Sequence, residues 1–80
     1  MHMIIEMKLS NEMYQSLVQK YETAIQEYKT TLLIYFENSV GIGDHPNHLE
    51  EMDDLVGKMS SANDKLQMII SMFGGTYSKL

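Results

Sequence analysis

The sequence predicts an all-α protein: an antiparallel helical hairpin that self-associates into a four-helix bundle, with a short N-terminal extended arm or strand. Three observations predict it. Residues 11–38 hold neither glycine nor proline and carry apolar side chains at helical spacing. Residues 47–73 repeat an apolar pattern over three heptads. Between them Val40-Gly41-Ile42-Gly43-Asp44-His45-Pro46 concentrates the residues that end one helix and start another.

Taken in order, residues 3–9 read Met-Ile-Ile-Glu-Met-Lys-Leu. Ile5, Met7 and Leu9 alternate with Glu6 and Lys8, the period of a half-buried strand or an extended arm lying on a helix. Ser10 has the chemistry of a helix N-cap, and Leu9 and Tyr14 have the spacing of a hydrophobic staple around it. The first helix is expected over 11–38. Tyr14, Tyr21, Tyr28 and Tyr35 recur every seven residues, with Val18, Ile25 and Leu32 four beyond the first three. The loop is expected over 39–46, with Asp44 or His45 as cap of the next helix.

The second helix is expected over 47–73. Glu50, Glu51, Asp53 and Asp54 load its beginning, where acids complement the positive end of the helix dipole. Met52, Met59, Leu66 and Phe73 recur every seven residues, with Leu55, Ala62 and Ile69 three beyond the first three. Gly74-Gly75 reads as a stop, which leaves 74–80 as a tail.

Two helices in one hairpin bury a single stripe each. Yet Leu32-Leu33-Ile34-Tyr35-Phe36 is apolar nearly all round, and Val56, Met68 and Ile70 lie outside the second helix's seam. Large exposed apolar patches mark interaction surfaces, and two-fold dimers are the commonest oligomers. The expected oligomer interface draws on Tyr14, Tyr21, Tyr28, Leu32, Tyr35 and Phe36 from the first helix, and on Met52, Met59, Leu66, Ile69 and Phe73 from the second.

Composition narrows the function. The chain has 80 residues, no cysteine, no arginine, and a net charge of −5. A chain this short is marginal alone, and no disulfide or zinc thiolate supports it. Nucleic acid selects basic surfaces, so it is not an expected partner. The longest apolar run falls far short of the ~20 residues of a membrane span. The first residues lack the basic region and long apolar stretch of a secretory signal, and a cytoplasmic location is expected.

The densest polar cluster is Asp44, His45, His48, Glu50 and Glu51, of which His45, His48 and Glu51 are the metal-ligand candidates. No Glu-x-x-His or His-Glu-x-x-His spacing accompanies them, so capping and solvated charge is the favoured reading and no cofactor is expected. Glu50-x-x-Asp53 and Glu51-x-x-Asp54 resemble the magnesium motifs of all-helical nucleotide pyrophosphatases. That resemblance requires a second acidic pair, and Glu22 and Glu27 are five apart and do not share a face well. Gly41-x-Gly43 reads as a turn, since no strand precedes it and no third glycine follows. No nucleophile–base pair stands out.

The stretch Glu37-Asn38-Ser39-Val40-Gly41-Ile42-Gly43-Asp44-His45-Pro46, with Glu50-Glu51-Met52-Asp53 and Ala62-Asn63-Asp64-Lys65-Leu66, resembles small two-helix proteins encoded by tailed bacteriophages. The resemblance covers roughly residues 30–70 and carries no catalytic residue. It implies an accessory protein acting inside an infected bacterial cell by binding a host or phage protein. The expected function is therefore a non-enzymatic, homo-oligomeric interaction protein. The alternative is a ligand-sequestering or metal-binding oligomer that uses the loop-end His and acid residues or the tyrosine face.

Overall fold

A computed structural model describes residues 2–38 and 47–77, which form two α-helices, α1 (His2–Asn38) and α2 (His48–Tyr77). They run antiparallel. Tyr35 near the end of α1 hydrogen-bonds Glu51 in the first turn of α2, and Tyr14 near the start of α1 stacks on Tyr77 at the end of α2. The all-α hairpin expected from the periodicity is the observed architecture.

The seam follows the heptads. On α1, Asn11, Tyr14, Val18, Tyr21, Ile25, Tyr28, Leu32 and Tyr35 are buried or half-buried. On α2, Met52, Leu55, Met59, Ala62, Leu66 and Ile69 answer them. Alternating steps of three and four keep one stripe of each helix turned to its neighbour along the whole contact. Hydroxyl residues inside α1 are accommodated by bonding back one turn: Ser16 to the Glu12 carbonyl at 2.8 Å, Thr30 to Gln26 at 2.8 Å and Thr31 to Glu27 at 3.0 Å.

Three boundaries differ from the sequence reading. Residues 3–9, expected as an extended arm or strand, are the first turns of α1, and the described residues contain no strand. A lone strand has no ladder to satisfy its backbone, whereas a helix satisfies its own, and nothing in 3–9 forbids one. Ser10 is accordingly an interior residue of α1 and not its cap. At the other end, α2 passes through Gly74-Gly75 to Tyr77, so residues 74–77 belong to the helix.

The physical reason for that continuation is contact. Gly74 is buried, and a Cβ there would lie 3.2 Å from the Tyr14 hydroxyl and 3.5 Å from Ile70. The missing side chain admits Tyr14, and packing outweighs the weak helix propensity of glycine. The start of α2 is set by Asn47, whose carbonyl accepts from Glu51 N–H at 2.9 Å. The expected loop over 39–46, with its Asp44 and His45 caps, lies outside the described residues, as do tail residues 78–80.

The product is a rod of 62 × 18 × 14 Å with a radius of gyration of 17.8 Å. A compact chain of this length has a radius near 12 Å (order of magnitude). The accessible surface is 6390 Å², where a compact monomer of this mass exposes about 4,900 Å². Among the described residues the buried apolar side chains are Tyr14, Leu32, Ala62 and Leu66, and none falls below 2% exposure.

Leu66→Asp places an unpaired charge in this thin core and is expected to abolish most helical circular dichroism, and Leu66→Ala to cost about 2–5 kcal/mol in chemical denaturation. Retention of full helicity by Leu66→Asp would contradict the seam. Gly57 has open space around its Cβ direction. Gly57→Ala is therefore expected to stabilise by up to about 1 kcal/mol, a rise of about 4–8 °C in melting temperature. Gly74→Ala should gain less or lose, because its methyl group meets Tyr14; equal gains would refute the close approach.

Candidate functional site

At the loop end, the first turn of α2 packs against Tyr35. The Tyr35 hydroxyl donates to Glu51 Oε2, and the Tyr35 ring meets the His48 ring edge-on at 5.8 Å and 76°. Glu50, Glu51, Asp53 and Asp54 border a shallow groove that α1 closes with Thr31 and Tyr35. Among the described residues that line this groove, α1 contributes the hydroxyls of Thr31 and Tyr35. Among the described residues no three His, Asp or Glu side chains stand close enough to hold a metal ion. Of the three metal-ligand candidates, His48 and Glu51 flank Tyr35, and His45 lies outside the described residues.

The Tyr35 hydroxyl is held above its ordinary pKa of 10.0, first by the hydrogen bond to Glu51, then by burial, then by the Glu51 charge. All three favour the neutral phenol beside a carboxylate.

At the opposite end the tyrosine is packed between aromatic and aliphatic groups. Tyr14 lies 5.9 Å from Tyr77, and Phe73 lies 6.4 Å from Tyr77. Met13, Leu17 and Ile69 join them along an open apolar groove. Neither Gly74 nor Tyr77 is singled out by the heptads. Tyr77 is seven residues beyond Ile70, and that spacing was the available signal.

The expected interface residues divide in two. Tyr14, Leu32 and Leu66 are buried by their own chain, and Tyr21, Tyr28, Tyr35, Met52, Met59 and Ile69 are half-buried in the same seam. Phe36 and Phe73 remain exposed, at 69% and 46%. The free apolar surface is drawn largely from other residues: Leu9, Met13, Leu33, Ile34, Leu49, Val56, Met68, Ile70 and Met72 are all exposed. Leu49, at 82%, is the most exposed of these and was hidden in the sequence by its acidic neighbours. Among the described residues no helix is long and apolar enough to cross a membrane.

Comparison with known family models, curated proteins and solved structures gives no match. The chemistry of the surface is therefore what bears on function.

Tyr35 is expected to ionise above free tyrosine in an ultraviolet titration, and Glu51→Gln to bring it back toward 10. The contribution of a raised phenol is present below the unfolded-state pKa and lost as pH rises through the folded one. Stability from this contact should thus hold through neutral pH and fade in the alkaline range, and Tyr35→Phe should remove that alkaline component. An unchanged titration in Glu51→Gln would show that the carboxylate does not set it.

Proposed function

We propose that this chain is a non-enzymatic interaction protein that works as a homo-oligomer, a dimer of hairpins in its simplest form. The observation that carries the reading is the surplus of apolar surface. Twelve large apolar side chains of the described residues are exposed, against four apolar residues buried. The chain exposes roughly 1,500 Å² more than a compact monomer of its mass, and a standard interface takes about 800 Å² from each partner. Packing two hairpins face to face removes such surface at both ends of the rod at once.

The likeness of residues 30–70 to small two-helix phage proteins extends the reading to an accessory protein that engages a host or phage protein with apolar surface left after dimerisation. The acidic balance and the absence of arginine support a protein partner over nucleic acid.

Sedimentation equilibrium at low micromolar concentration is expected to give twice the chain mass of 9.2 kDa or a higher multiple. A single-chain mass at every concentration, with full helicity, would overturn the proposal.

A further inference from the structure

We infer that the loop end of the hairpin docks a cationic amphipathic helix of another protein; the inference rests on the reading above that the chain engages a further protein partner. Charge is sorted along this rod. The bond from Tyr35 to Glu51 fixes the register at the loop end, so residues 30–38 of α1 lie level with 47–56 of α2. That stretch carries Glu37, Glu50, Glu51, Asp53 and Asp54 and, among the described residues, no lysine. The other described residues, 2–29 and 57–77, hold five acidic residues and five lysines. The uncompensated negative charge of the described residues therefore sits at one end.

The same end exposes apolar area. Leu49 at 82% and Phe36 at 69% are the two most exposed large apolar side chains of the described residues, and Leu33 and Val56 are exposed with them. Helical spacing joins these four into one surface. Leu33 and Phe36 are three apart on α1, and Leu49, Asp53 and Val56 follow at steps of four and three on α2. Gln15 and Ile70 line one groove at the open end. Steps of seven from them reach Phe36 on α1 and Val56 and Leu49 on α2, which places the two pairs on one broad side of the hairpin. Asp53 stands within the α2 row, and Glu37 stands one turn from Leu33. Glu37, Glu50 and Asp53 are exposed. Glu51 accepts from Tyr35, and Asp54 pairs with Lys58 at 3.1 Å.

Such a surface selects its occupant by charge. Apolar side chains set among carboxylates are answered by apolar side chains flanked by Lys or Arg, which cover the first and pair with the second. The dimensions suit a helix. Leu49 to Val56 spans two turns, about 10 Å, the reach of an i, i+3/i+4, i+7 row on a partner helix laid across it. Two loop ends brought together would set carboxylate against carboxylate. The rest of the described chain is charge-balanced, so a second copy has no net positive charge to answer this end.

The probe is a fluorescein-labelled helical peptide of leucine and lysine in an amphipathic pattern, followed by anisotropy against the full chain. Saturable binding is expected, weakened about tenfold by Phe36→Ser or Leu49→Ser. Glu50→Gln combined with Asp53→Asn should weaken it and flatten its dependence on salt. Met13→Ser and Met72→Ser, exposed positions at the open end, should leave it unchanged. A serine–lysine peptide of the same charge should bind about tenfold more weakly than the leucine–lysine one. Circular dichroism checks that each variant keeps the hairpin. No binding, equal binding of the serine–lysine peptide, or a loss caused by the open-end variants in place of the loop-end ones would overturn the docking surface while self-association stands. A single-chain mass with peptide binding intact would overturn self-association alone.

Discussion

Two helices share only one line of contact, and everything else in this molecule depends on that. A helix in a hairpin turns one stripe inward and presents the rest of its circumference to water. Both helices here carry apolar residues well beyond one stripe, so the hairpin alone leaves most of them exposed. Among the described residues, the few side chains it does bury are spread along a 62 Å rod and do not gather into a closed core. Its ends are pinned by tyrosines: Tyr35 bonds Glu51 at the loop end, and Tyr14 packs over Gly74 and against Tyr77 at the other.

The tyrosine ladder belongs to this constraint. Tyr14, Tyr21, Tyr28 and Tyr35 lie along the seam, Tyr14 buried where Gly74 leaves room for it and the others half-buried, with the Tyr35 hydroxyl bonded to Glu51. The rings thus serve first to hold α1 on α2.

The hairpin was legible because its signal is long. Three to four heptads cannot be mistaken for another period, and the seam residues Leu32, Ala62 and Leu66 follow from them directly. Short signals misled. Seven alternating residues at 3–9 have strand period yet are helical, because such a segment takes its structure from what it can pair with. Ser10 has the chemistry of a cap and sits inside a helix, and Gly74-Gly75 has the chemistry of a stop and does not stop one. The Gly74 case depends on a contact with Tyr14, sixty residues away in sequence, which no local pattern encodes. Of the candidate site, the proximity of Tyr35 to His48 and Glu51 was likewise beyond local reading, although the hairpin topology brings them to one end.

We propose that folding and association are linked, because the apolar surface outside the seam stays wet in a lone hairpin. The most direct test is the dependence of the thermal midpoint on protein concentration. Linked folding predicts a midpoint that climbs steadily across a wide dilution series, by mass action. A midpoint that stays constant over that series, with a cooperative transition at the highest dilution, would contradict it.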